Sequence, residues 1–130
     1  GHVPGQPGVK TSKLTGPALD WAVAKAEGAD MSWDEIAEDF FMGMHHDLCF
    51  LKEFKPSTDW AQGGPIIDRE HIGVCYYHEA DGWEVPNWAA WRTDIDDRVQ
   101  IMGETALLAA MRCYVASKLG DEVDVPEELL

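Results

Sequence analysis

His45 and Cys49 stand four residues apart, about one helical turn, and Cys75 and His78 have a Cys-x-x-His spacing. Two thiolates and two imidazoles make a tetrahedral donor set of the kind zinc prefers. Against a zinc centre, the two pairs share no turn, and Cys75 falls in an expected strand among apolar neighbours. There a cysteine behaves as a small hydrophobe. No metal or other cofactor is therefore expected, and His45, Cys49, Cys75 and His78 stand only as minor candidates.

Other reactive arrangements are thinner. There is no Gly-x-Ser-x-Gly elbow, and Ser12, Ser32, Ser57 and Ser117 fall in expected caps or linkers. Gly63-Gly64 lacks the Lys-Ser/Thr ending of a phosphate loop. No catalytic residue is expected. Arg112 lies one residue from the apolar stripe of the last expected helix, within reach of a carboxylate such as Asp59 or Asp68. A buried structural tie is the favoured reading, with an anion or partner contact as the functional one. Trp60, between Asp59 and Gln62, reads first as core and second as an exposed interface anchor.

Several elements must position these residues. Thr15-Gly16-Pro17 opens a helix, Leu19, Ala22, Val23 and Ala26 mark its inner face, and Gly28 stops it. Asp20, Lys25 and Glu27 are expected to face away. Ser32 and Glu35 have capping-box spacing, so a second helix is expected with Trp33, Ile36, Phe40, Phe41 and Met44 inward. Residues 48 to 54 suggest a strand ended by Pro56. A capped turn from Asp59 should break at the two glycines and restart at Pro65. Ile72 to Tyr77 and Trp83 to Trp91 read as antiparallel strands around the turn Glu79-Ala80-Asp81-Gly82. The last helix should span Ala106 to Leu119, capped by Thr105, with Leu108, Met111, Val115 and Leu119 as its stripe.

The expected architecture is α+β, a small antiparallel sheet packed with three or four helices as a helix/sheet/helix sandwich. Residues 14–120 form the expected single domain. Residues 1–13 read as a flexible lead-in, with Gly1-His2 as a tag remnant, and 121–130 as a mobile acidic tail.

The 130 residues include 24 Asp and Glu against 10 Lys and Arg, a formal charge of −14. That sign opposes direct contact with nucleic acid or an anionic bilayer, because neither phosphates nor lipid headgroups are met by cations. It favours solubility, or a basic protein partner. The three cysteines show no disulfide framework and suit a reducing compartment. No apolar run approaches the roughly 20 residues of a membrane span, and no signal peptide is expected.

Three blocks in order, Leu14 through Gly28, Pro56 through Ile67 and Thr105 through Gly120, resemble the NinX-like proteins of tailed bacteriophages and prophages. Glu104-Thr105-Ala106 departs from the pattern, which places a proline after the threonine. The resemblance implies a protein acting in the cytoplasm of a phage-infected or lysogenic bacterium, and it implies no reaction. The expected role is a protein-interaction module binding a host or phage protein, or another copy as a homodimer. The alternatives are an acidic DNA mimic that inhibits a host DNA-binding enzyme and, last, a metal-dependent hydrolase.

Overall fold

A computed structural model describes residues 8–44, 46–78, 87–94 and 99–130. They form three α-helices and three small antiparallel sheets, an α+β fold. The helices are α1 (Gly16–Ala26), α2 (Trp60–Arg69) and α3 (Ala106–Leu119). Strand β1 (Gly8–Lys10) pairs with β8 (Glu122–Asp124). A meander joins β2 (Asp30–Asp34), β3 (Asp39–Met44) and β4 (Asp47–Phe50). The third sheet joins β5 (Ile72–Tyr76), β6 (Trp88–Arg92) and β7 (Ile101–Gly103) in that order.

Within this α+β fold a helix takes the central position. Helix α3 packs against all three strands of the third sheet and also against α1, α2 and β8. Residues 109 to 115 of it are buried without interruption, which no single stripe could achieve. Ala22 and Ala24 of α1, with Ala109 and Ala110 of α3, are wholly buried, and small side chains of this kind let elements close on a helix from several sides. Its start is as expected: the Thr105 side chain accepts from the Leu108 N–H at 3.1 Å, and Gly120 ends it with φ 91°.

The second expected helix is instead the first hairpin of the meander. Asp34 Oδ1 accepts from Ile36 N at 2.9 Å and Ala37 N at 3.0 Å, closing a turn rather than a first helical turn. Glu38 sits at φ 51°. The apolar residues then read with period two: Phe40 and Met42 are buried, and Phe41 between them is exposed. Trp33 and Phe40 meet across the strands edge to face, ring centroids 5.2 Å apart. Ile36, an expected core residue, is 98 % exposed at the turn. Aromatic residues at these positions satisfy helical and strand spacing alike, and cross-strand pairing decides between them.

Helix α2 runs through Gly63, Gly64 and Pro65 without the expected break. A Cβ at Gly63 would strike the Pro56 carbonyl and come within 2.6 Å of Leu107 Cδ2, so this glycine serves close packing rather than a turn. The expected strand at 48 to 54 is β4 followed by a 3-10 turn over Leu51–Glu53. Strands β5 and β6 pair antiparallel as expected, while the turn at 79–82 and the stretch 83–86 lie outside the described residues.

The expected lead-in and tail are ordered where they are described. Val9 faces Val123 across the β1–β8 ladder, and Thr11 Oγ1 donates to the Gly120 carbonyl at 2.6 Å. Val123 and Val125 are buried in the main core, which is why the acidic residues around them do not make a free tail.

Candidate interaction surface

The residues singled out for metal chemistry are not assembled. Cys49 lies in the meander, opposite Met42, and Cys75 in the third sheet, opposite Ala89. His78 is exposed and packs edge to face on Tyr76 at 5.1 Å, and His45 lies outside the described residues. Among the described residues no three His, Cys, Asp or Glu side chains converge in a way that could hold a metal ion. Burial, with Glu53, Asp47 and Asp39 nearby, pushes the Cys49 thiol up.

Asp59 and Gln62 fasten a loop. Asp59 Oδ1 caps α2 through Ala61 N at 3.0 Å, while Gln62 donates to the Glu53 carbonyl at 3.1 Å and accepts from Lys55 N at 3.0 Å. Trp60 is 56 % exposed, so the core reading gives way to the exposed one. Arg112 is buried, but its partners are neither Asp59 nor Asp68. Its Nε donates to the Leu14 carbonyl and its Nη1 to the Met102 carbonyl, each at 2.8 Å, and Glu104 lies 3.7 Å from Nη2. The guanidinium's fork joins the loop before α1 to β7. Burial lowers its pKa, an effect Glu104 opposes.

Two polar clusters had no signal in the spacing of residues. Asp20 and Glu27, expected to face solvent, are both engaged. Glu27 accepts from Arg69 at 2.9 Å and from the Tyr114 hydroxyl at 3.1 Å, and Arg69 also donates to Glu70 at 2.8 Å. These bonds tie the ends of α1 and α2 to α3; they hold Glu70 below the usual carboxylate range and raise Arg69. Asp20 is buried and its Oδ1 accepts from Ser57 N at 2.9 Å. Burial raises its pKa, and the Ser57 contact pulls it the other way.

A raised aspartate pKa means that the neutral carboxyl favours the folded state. That stability is full below the ordinary value of about 4 and is lost as pH rises through the folded-state value. Asp20→Asn keeps the acceptor for Ser57 N and carries no charge to bury. In urea titrations the variant is expected to match the parent near pH 3.5 and to exceed it progressively toward pH 7. A variant weaker at every pH would refute this account of Asp20.

One surface cleft suits no evident reaction. A cleft of about 550 Å³, open to solvent, lies beside Lys10, Thr11, Arg92, Gln100, Cys113 and Asp121. Its thiol, Cys113, is pushed up to about 11 by burial, with Arg92 opposing, so it stays protonated and a poor nucleophile at neutral pH. Arg92 is occupied by Asp94, with bonds of 3.0 and 2.8 Å.

The outer face of the meander is different. The register puts Ser32, Phe41 and Phe50 in one row and Asp30, Gly43 and Leu48 in the next, all on the side opposite buried Phe40 and Met42. Phe41 is 38 % and Leu48 71 % exposed, and the Phe41 and Phe50 rings meet edge to face at 5.3 Å. An apolar aromatic row on the outside of a small sheet is costly to leave wet and is the usual material of a contact surface.

The sequence model of the family described as Bacteriophage P22, NinX matches residues 10–118. The chain belongs to this family. Beyond the NinX family, 76 residues are 34 % identical to a protein provisionally named glutamate–cysteine ligase 2 from Clavibacter sepedonicus. A counterpart from Clavibacter michiganensis subsp. michiganensis (strain NCPPB 382) is 32 % identical over the same length. Each match covers 55 % of this chain, and the chain spans only 20 % of either relative's length. The NinX match reaches from β1 to the last turn of α3 and so includes the meander that the three resembling blocks left out. No helix among the described residues is long and apolar enough to cross a membrane.

Proposed function

We propose that this phage protein is an accessory factor of the infected or lysogenic bacterial cell that works by binding another protein, with the outer face of the meander as its contact. The supporting observation is that exposed Phe41 and Leu48, with half-buried Phe50 beside Phe41, share the outer face of a sheet whose opposite face packs on the core. Catalysis has less support, because the cleft beside Cys113 holds a protonated thiol and an Arg92 already paired with Asp94. DNA mimicry also has less support: Glu27, Glu70 and Asp94 are spent in ion pairs with Arg69, Lys118 and Arg92.

The test is affinity purification from phage-infected cells with the parent chain and with Phe41→Ser/Leu48→Ser. Both side chains point outward, so circular dichroism is expected to show an intact fold. A protein retained by the parent should be lost from the variant. Equal recovery with both baits would refute the reading.

A further inference from the structure

We propose that the partner segment seated on the meander is basic, a stretch carrying Lys or Arg beside an apolar anchor, and that it is not a second copy of this chain. This rests on the interaction reading above and specifies the chemistry of the contact.

The rim of the aromatic row carries the argument. Between residues 30 and 53 stand Asp30, Asp34, Glu35, Glu38, Asp39, Asp47 and Glu53 against the single Lys52, a formal −6. Glu27 and Glu70, by contrast, are both paired with Arg69. Asp30, Asp34 and Asp39 share the face of the apolar row, and Glu35 and Glu38 stand in the turn beside it, with Lys52 as the one Lys or Arg of the segment. Two copies facing each other would bring equal negative charge together around the contact, which repels. A basic segment removes that repulsion, and its apolar residue covers Phe41 and Leu48.

The face already takes a cation from its own chain. Lys52 Nζ lies 5.8 Å from the centroid of the Phe50 ring, within the range of a cation–π contact. Its backbone N–H meanwhile donates to Asp39 Oδ2 at 3.0 Å, so one lysine engages both the aromatic row and an acid of the rim. A partner's Lys or Arg placed beside Phe41 would repeat that pairing, since Phe41 and Phe50 are direct cross-strand neighbours.

The test replaces Phe41 with a photoreactive phenylalanine in the full chain, irradiates infected cells and sequences the crosslinked peptide by mass spectrometry. The expected product is a peptide of another protein, net positive and containing an apolar residue. Its yield should fall roughly ten-fold, in vitro, between 50 and 500 mM salt, and likewise with Asp30→Asn/Glu35→Gln/Glu38→Gln. A neutral or acidic peptide, or a yield indifferent to salt, overturns the basic-segment proposal while leaving protein binding in place. A crosslink to a second copy overturns it in favour of self-association. No crosslink in irradiated cells defeats both this proposal and the interaction reading beneath it.

Discussion

Arg112→Met is expected to lower the unfolding free energy by about 3–6 kcal/mol, the sum of two charge-assisted hydrogen bonds at roughly 1.5–3 kcal/mol each. Methionine fills a similar volume but donates nothing. It leaves the Leu14 and Met102 carbonyls facing a buried region without the guanidinium that now serves both. Leu14 is itself buried, so water is not a ready substitute. A domain of this size has about 5–15 kcal/mol in all, so the variant should lose a large part of its urea midpoint. Arg112→Lys should recover only part of the loss, because an ammonium cannot reproduce the planar fork that reaches two carbonyls on different elements. If Arg112→Met unfolds within 1 kcal/mol of the parent, the guanidinium is not the clasp between β7 and the entry to α1.

Gly103→Ala is expected to cost about 1–3 kcal/mol or more, the range for overpacking a core. A Cβ there would stand 2.5 Å from Ala109 N, 3.0 Å from Ala109 Cα and 3.1 Å from Leu108 C, all backbone atoms of α3. No side chain can swing aside to relieve them. Retreat of the strand would break its pairing with Trp88, and retreat of the helix would pull Arg112 from its two carbonyls. The same methyl at Gly64, which has open space around it, should be tolerated or mildly favourable in a helix. Parallel urea titrations of the two variants check this contrast, and equal losses would show that the close approach at Gly103 does not govern stability.

These two positions also show why sequence reading stopped where it did. Thr105 as cap, Gly120 as stop and the span of α3 between them were legible, because a helix end is set by groups within one turn of it. The same held for Pro17 and the start of α1, and for Asp59 as the cap of α2. Strand β7 was not legible. Its three residues are too short for a pattern, and they form a strand because β6 pairs on one side while Arg112 satisfies a carbonyl on the other.

The meander gives the same lesson for the candidate surface. Trp33, Phe40 and Phe41 mark a helical face as readily as two strands, and the acids of the turn serve either as a first helical turn or as a hairpin cap. Asp34 closing a turn and Trp33 meeting Phe40 across it decide the matter, and with it the exposure of Phe41. Arg112 was identifiable as a buried tie by type and position; its acceptors were not, since they are carbonyls of residues 98 and 10 positions away.

By itself, the sequence determined the α+β class, the NinX family, the net charge and the ends of helices α1 and α3, all of them properties of composition or of groups within a few residues. Only the tertiary structure decided the strands of the meander and the closure of β1 on β8 across more than a hundred residues. It likewise decided which carboxylates are buried and which stand around an exposed aromatic row. Strand pairing and burial are contacts between distant parts of the chain, so their energy enters only when those parts meet.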